Sequence, residues 1–215
     1  MSAIATHRWY FDPISPFAYL QWPRVKALRR EFDIAPVPIL LAAVLDARGQ
    51  KGPAEIPSKR EFIYRHVLWQ AREAGVPLRF PPRHPFNPLP ALRLCVAAGA
   101  SERVIDAVFA WIWGEGRAAD SVEAVLPLCA ALQVDPALLG HDTVKATLRG
   151  NTEQALREGV FGVPTLAIGD GPTPVLFWGN DAHGFAEAVL RTPALLEDAE
   201  FERLERLPVG VSRLG

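Results

Sequence analysis

One short stretch near the N-terminus constrains the fold of this chain more than any other feature. The strand-like segment His7–Phe11 is followed by Asp12-Pro13, and Ser15 then stands directly before Pro16 and a helical pattern. Serine is a preferred N-cap and proline a preferred first helical residue, so we predict a strand that leads into a helix beginning at Pro16. Unpaired N–H groups and the helix dipole make such a terminus favourable for an anion. Ser15 is therefore a candidate anion-stabilising hydroxyl; the alternative is that it only caps the helix.

The size and charge of the chain exclude several classes of function. Its 215 residues suffice for one domain, or for one domain that carries a large insertion. The dispersed charges, Lys+Arg 23 against Asp+Glu 24, argue against nucleic-acid or anionic-membrane binding. Residues 1–8 lack a signal-peptide core, and the longest apolar stretch, 37–45, is far shorter than the ~20 residues of a spanning helix. We therefore expect a soluble cytoplasmic protein.

The hydrophobic pattern changes twice along the chain. The first part predicts strand, helix and strand, at His7–Phe11, 16 to about 31 and Ile34–Pro38. A helical region follows up to Gly159, and its helix starts are marked by Ser58, Asn87-Pro88, Ser101, Asp120-Ser121 and Asp135-Pro136. The last part predicts two short strands joined by a turn, 165–168 and 175–177, and then a helix that Asn180-Asp181 opens.

This order of elements predicts an α/β fold. The outer parts form a thioredoxin-like four-stranded sheet with flanking helices, and the central part is a large all-helical insertion. We assign residues 1–40 and 155–215 to the thioredoxin-like domain and residues 41–154 to the inserted helical domain.

The two cysteines, Cys95 and Cys129, lie in separate helical patterns and form no Cys-x-x-Cys pair. No histidine stands at metal-ligand spacing from either of them, so we predict buried, inert thiols and no metal site. In a thioredoxin-like fold the redox cysteine occupies the junction of the first strand and helix, where this chain has Ser15. Disulfide exchange through a protein thiol is thus excluded as the primary activity. What a hydroxyl does well at a helix N-terminus is to stabilise the thiolate of another molecule.

A second motif, Val163-Pro164, supports this interpretation. Directly before the third strand of a thioredoxin-like sheet we expect a cis proline. The N–H and C=O of Val163 would then be free to pair with an extended peptide backbone, as in strand addition. The alternative is that residues 162–164 are a simple strand entry.

Three segments together carry a family resemblance: 10–20 around Ser15, 161–165 around Val163-Pro164, and 177–181 around Trp178. They resemble the 2-hydroxychromene-2-carboxylate isomerases, which belong with the kappa-class glutathione transferases and, more distantly, with DsbA-type oxidoreductases. The resemblance implies a glutathione-dependent isomerase that acts on a small aromatic keto acid and forms a homodimer. In this reaction the thiolate of glutathione adds reversibly to a conjugated carbon of the substrate.

The resemblance also implies a role for each matching residue. Ser15 matches the serine that hydrogen-bonds and activates the glutathione sulfur, and Val163 matches the residue that pairs with the glutathione backbone. The γ-glutamyl end is assigned to Trp178, Gly179, Asn180 and Asp181, although Asn180 or Asp181 would also serve simply as a helix cap. His84 matches a residue that lines the aromatic substrate pocket; the alternative is a solvent-exposed loop histidine.

The chain departs from the family near residue 50. Arg48-Gly49-Gln50 replaces a common Ser/Thr-Gly-Asn, and Leu45 or Asp46 replaces a lysine whose charge would suit a carboxylate. Gln50 remains a candidate amide donor to glutathione. Two rival functions stay open: a kappa-type glutathione transferase or peroxidase that consumes glutathione, and a redox-inactive module that binds thiols or peptides.

Overall fold

The computed structural model describes residues 7–211, and within them four strands form one mixed sheet in the order β2-β1-β3-β4. The strands are β1 (His7–Phe11), β2 (Ile34–Pro38), β3 (Thr165–Ile168) and β4 (Val175–Trp178). β1 is parallel to β2 and antiparallel to β3, and β4 is antiparallel to β3. The predicted thioredoxin-like sheet is confirmed.

The helices of residues 7–211 fall into an outer set and an inserted set. The outer helices are α1 (Pro16–Leu28), α8 (His183–Arg191) and α9 (Ala199–Glu205). Between β2 and β3 lie α2 (Leu41–Ala47), α3 (Pro57–Glu73), α4 (Leu89–Ala97), α5 (Glu102–Phe109), α6 (Val122–Leu132) and α7 (Asp142–Arg157). A π-helical turn, Ala110–Gly114, follows α5. In this part of the chain no helix combines the length and apolar character that crossing a bilayer requires. The helical insertion is present as predicted, while the domain boundaries near 40 and 155 stay a prediction.

Two predicted helix starts are wrong. Ser58 is not the cap of α3, because Pro57 begins that helix after the N-cap Ile56. Proline with its fixed φ is well suited to the first helical position, and it moves the start two residues earlier. Likewise α8 begins at His183 with Ala182 as its N-cap, so neither Asn180 nor Asp181 caps it.

Aromatic side chains join the insertion to the sheet. Trp9 and Phe11 point to one face of β1 and stack at 4.7 Å between ring centroids, as the alternation of a strand requires. Trp9 also stacks on Trp22 of α1 at 5.0 Å, and Phe109 of α5 packs against Phe11 at 5.9 Å. Because these rings are almost fully buried, α1, the sheet and α5 share one core.

Both cysteines are buried in that core and neither forms a disulfide. Burial raises the pKa of the Cys95 thiol to about 12, and the nearby Asp12 carboxyl adds to the effect. Burial also raises the pKa of Cys129. Thiols with such pKa values remain protonated near neutral pH and are weak nucleophiles.

The opposite face of the sheet carries a buried ion pair. Arg8 Nε donates to Glu158 Oε2 at 3.0 Å, and the two side chains are only 7% and 9% exposed. The Tyr10 hydroxyl donates to the same carboxylate at 2.7 Å, and Gln154 Nε2 donates to its other oxygen at 3.0 Å. Glu158 therefore joins the C-terminal end of α7 to β1.

We expect Glu158→Gln to lower the free energy of unfolding by about 3 kcal/mol, because it leaves the Arg8 guanidinium buried without its counter-charge. Glu31→Gln is the matched control, since it neutralises an ion pair with Arg191 that is about half exposed. Exposed pairs contribute little, so that variant should change stability far less. Urea denaturation measures both. Equal losses in the two variants would contradict the structural role of Glu158.

Candidate active site

Three of the predicted segments meet at one edge of the sheet. Tyr10 pairs with Thr165 in the antiparallel β1–β3 ladder, so the end of β1 lies beside the start of β3. Thr165 also pairs with Trp178, which puts the end of β4 at the same edge. The loop that carries Ser15, the Val163-Pro164 motif and the segment after Trp178 are thus brought together by strand pairing.

Ser15 caps α1, as the sequence predicts. Its Oγ accepts from the N–H of Ala18 at 3.3 Å, and the residue is only 7% exposed. This contact uses an acceptor lone pair, and a serine hydroxyl retains one proton to donate. The cap and a donor role are therefore compatible.

The backbone of the loop before Ser15 is held from several sides. Four contacts occupy its polar groups: Trp113 Nε1 to the Pro13 carbonyl (2.8 Å), the Ile14 N–H to Asp12 Oδ1 (3.0 Å), His84 Nε2 to the Ile14 carbonyl (3.0 Å) and the Ser15 N–H to the Asp12 carbonyl (3.0 Å). Leaving any of these buried groups without a partner would cost free energy. The position of Ser15 is thereby set by contacts on Ser15 itself and on the two residues before it.

Asp12 lies directly behind this loop and is fully buried. Its two carboxyl oxygens accept from the N–H groups of Ile14 and Leu41, each at 3.0 Å, which also ties the start of α2 to the loop. Burial raises the pKa of Asp12 to about 7, and the two N–H groups oppose that rise. The carboxyl changes its charge near neutral pH. Sequence reasoning did not assign Asp12 to the site, and its position directly after a buried strand was the signal that could have indicated that it holds this loop.

The Val163-Pro164 peptide bond is cis, as predicted. Next to it, the Thr165 hydroxyl donates to the Gly162 carbonyl at 2.8 Å, and the Gly179 N–H donates to the Pro164 carbonyl at 2.9 Å. Across residues 7–211 neither the N–H nor the C=O of Val163 has a hydrogen-bond partner. A backbone edge of this kind is available to an extended peptide.

Trp178 forms an aromatic surface at the end of β4. It is 50% exposed and packs on Phe161, with ring centroids 5.2 Å apart. Its indole covers Gly162 so closely that a Cβ there would clash. Gly179 follows with a φ of +95°, a left-handed conformation that favours glycine, and it turns the chain away from the strand.

The segment after Gly179 is held by side chains of α1 and α3. Gln21 Nε2 donates to the Gly179 carbonyl at 3.0 Å, and Asn180 Nδ2 donates to Gln70 Oε1 at 3.2 Å. Asn180 Oδ1 is buried without a hydrogen-bond partner in the described part of the chain. The carboxylate of Asp181 is exposed and lies close to Gly179. Sequence reasoning missed Gln21 and Gln70, for which no local pattern exists.

Gln50 lies apart from these contacts. It follows the C-terminal end of α2 and is exposed, and only its backbone N–H is bonded, to the Leu45 carbonyl at 2.9 Å. Within residues 7–211 no hydrogen bond or ring contact joins it to the other predicted site residues. Its neighbour Arg48 donates to the carbonyls of Leu156 and Val160, which connects this segment to the chain before Phe161.

His84 is half-buried and therefore not the solvent-exposed histidine of the alternative interpretation. Its ring lies 5.4 Å from the rings of both Tyr64 and Trp113. Burial lowers its pKa, although the hydrogen bond to Ile14 opposes this. Through the Ile14 carbonyl, His84 touches the loop that carries Ser15. Sequence reasoning missed Tyr64 and Trp113, because their partners lie far away along the chain.

Comparison with known proteins places this geometry in a family. The DSBA-like thioredoxin domain family matches residues 8–191. A 2-hydroxychromene-2-carboxylate isomerase of Pseudomonas putida is 32% identical over 182 residues, which cover 80% of this chain and 88% of that protein. Glutathione s-transferase kappa 2 of Caenorhabditis elegans is 27% identical over 194 residues, 81% of this chain and 86% of that protein.

The fold of a solved relative agrees with these matches. A structure of 2-hydroxychromene-2-carboxylate isomerase superposes with a TM-score of 0.72 at 26% identity, covering 90% of this chain and 98% of that one. The chain therefore belongs to the DSBA-like thioredoxin family, in the group that contains the 2-hydroxychromene-2-carboxylate isomerases and the kappa-class glutathione transferases.

Proposed function

We propose that this protein is a glutathione-dependent isomerase that acts on a small aromatic keto acid, with Ser15 as its catalytic residue. One observation carries the proposal: the Ser15 hydroxyl, the unpaired backbone of Val163 and the loop after Trp178 lie at the same edge of the sheet. The isomerase and transferase relatives, which are enzymes by name, give the reaction class.

The residues at this edge fit glutathione. The free N–H and C=O of Val163 suit the backbone of an extended tripeptide, and the N-terminus of α1 suits a thiolate. Trp178, Gly179, Asn180 and Asp181 hold the γ-glutamyl end, where the unpartnered Asn180 Oδ1 is an acceptor for its ammonium group. Gln50, whose side-chain amide is exposed, supplies a further donor from the α2 side.

The Ser15 hydroxyl donates a hydrogen bond to the sulfur of the bound thiol. This hydrogen bond and the positive end of the α1 dipole both favour the charged form, so they lower the pKa of the thiol from its ordinary value. Bound glutathione supplies a nucleophile that adds reversibly to a conjugated carbon, and it is regenerated at the end of the reaction. The buried cysteines of the chain take no part.

We assign the aromatic substrate to the side of the site that His84 borders. His84 lies among Tyr64, Phe80 and Trp113, next to the loop of Ser15.

We also propose a cytoplasmic location, because glutathione is abundant there and the cysteines are free thiols. A homodimer remains a proposal based on the resemblance, to be checked by light scattering.

The glutathione balance tests the reaction class. We expect that, with 2-hydroxychromene-2-carboxylate as substrate, the isomerised product accumulates while the total free thiol stays constant. Titration of free thiol during turnover measures this. Loss of one thiol per product would instead indicate a kappa-type transferase. Failure to bind glutathione at millimolar concentration would favour a redox-inactive thiol- or peptide-binding module.

We expect Ser15→Ala to lower turnover by one to two decades, because a hydrogen bond to a charged group contributes about 1.5–3 kcal/mol. Glutathione should still bind within a few fold, since the Val163 backbone and the α1 terminus remain. The pKa of the bound thiol, followed by thiolate absorbance, should rise.

Ser121→Ala is the matched control for this variant. Ser121 caps α6, with its Oγ accepting from the Ala124 N–H at 3.2 Å, so both variants lose a helix cap worth about 1 kcal/mol. Only Ser15→Ala should change turnover. If the two variants behave alike, Ser15 is a cap and the assignment of the site is wrong.

We expect Asp181→Ala to raise the Kd of glutathione about tenfold, because a charge-assisted hydrogen bond to the γ-glutamyl end is lost. Asp170→Ala removes the same charge from an exposed turn at the other end of β3 and should leave the Kd unchanged. Calorimetric titration with glutathione compares them. An unchanged Kd in Asp181→Ala would remove that residue from the binding site.

A further inference from the structure

We infer that Tyr64 and His84 are positioning residues, which act on Ser15 by holding the carbonyl of Ile14. This inference rests on the proposed function and adds to it a pair of residues that lie outside the sheet. Tyr64 belongs to α3, and His84 to the proline-rich segment 81–88. The pair therefore connects the helical insertion to the start of α1.

The hydrogen bonds of the pair determine where the protons of His84 lie. His84 Nε2 is 3.0 Å from the carbonyl oxygen of Ile14, which only accepts, so Nε2 carries a proton. Burial lowers the pKa of His84, which favours the neutral ring, and the neutral ring with its proton on Nε2 has a lone pair on Nδ1. The Tyr64 hydroxyl faces this lone pair at 2.8 Å.

Tyr64 also fixes the main chain of His84. The same hydroxyl lies 2.7 Å from the His84 carbonyl oxygen and also donates to it. The single phenol proton is thus shared by two acceptors of one residue, Nδ1 and the carbonyl oxygen of His84. Without the hydroxyl, Nδ1 has no donor, and the tautomer with its proton on Nδ1 becomes accessible. That tautomer turns the Nε2 lone pair toward the Ile14 carbonyl, and the contact with the loop becomes repulsive.

Packing leaves the two rings little freedom to compensate. The Tyr64 ring lies 4.6 Å from Phe80, and Trp113 packs edge-on against His84 at 5.4 Å. Trp113 itself donates to the Pro13 carbonyl, one residue before Ile14. Because both ring nitrogens of His84 are engaged with protein groups, its polar function is to hold the loop, and only its ring surface faces the proposed substrate.

Tyr64→Phe tests the pair, because it removes the hydroxyl and keeps the ring that packs on Phe80. We expect the pKa of bound glutathione to rise by about half a pH unit or more, equivalent to a threefold change in ionisation. We expect kcat with 2-hydroxychromene-2-carboxylate to fall about three- to tenfold, since small displacements of a catalytic group are costly. The Kd of glutathione should change less than twofold.

Tyr19→Phe is the matched control. It removes a phenol hydroxyl that also donates to a main-chain carbonyl, that of Pro77, but which does not contact the loop of Ser15. This variant should leave both the thiol pKa and kcat at the parent values. A Tyr64→Phe protein that matches the parent in both quantities would overturn the inference.

Two variants of His84 keep the inference testable if Tyr64→Phe fails to fold. His84→Phe retains an aromatic ring without a donor, whereas His84→Gln restores an N–H that reaches toward the Ile14 carbonyl. We expect the thiol pKa in His84→Gln to lie closer to the parent value than in His84→Phe, and equal shifts in the two variants would overturn the inference.

Ser15→Ala, measured alongside, separates the two proposals. If the thiol pKa in Ser15→Ala equals that of the parent protein, the proposed function itself is contradicted. If the pKa rises in Ser15→Ala but not in Tyr64→Phe, only the positioning role is contradicted.

Discussion

The hydrogen bonds that hold residues 12–15 are the constraint on which the rest of the site depends. They come from Asp12 within the loop and from Trp113 and His84 of the insertion. Since a buried carbonyl without a donor is costly, each bond restricts the conformation of the backbone that carries Ser15. The insertion thus supplies the candidate site with donors that the sheet does not provide, from the π-helical turn and from the segment 81–88.

A second chain of contacts connects the other half of the site to the core. Trp9 Nε1 donates to Gln21 Oε1 at 2.7 Å, and Gln21 Nε2 in turn donates to the Gly179 carbonyl. Gln21 is fully buried, so both ends of its amide need partners. One side chain of α1 therefore sets the distance between the helix that Ser15 opens and the loop proposed to hold the γ-glutamyl end.

Burial of Asp12 also bears on the electrostatics of the site. An ionised carboxylate behind the N-terminus of α1 would repel an anion bound there. Because burial raises the pKa of Asp12 to about 7, its neutral form persists up to that pH, and the helix terminus keeps its preference for negative charge. Above that pH the ionised Asp12 opposes the anion. The N-terminus of α1, which favours a thiolate, and Asp12, which opposes it when ionised, therefore lie at the same loop.

Local patterns in the sequence determined the strands and the start of α1 at Pro16, because alternation, capping and proline chemistry act between near neighbours. The cis proline before β3 was expected from its place in a thioredoxin-like sheet rather than from the residues around it. They failed at α8, where Asn180 and Asp181 are good caps by type, yet Gln70 and the left-handed turn at Gly179 hold them ahead of the helix. Only the tertiary structure decided the roles of Trp113 and His84. Their bonds to the loop join residues 100 and 70 positions apart, and such contacts depend on how whole helices pack, which no local pattern encodes.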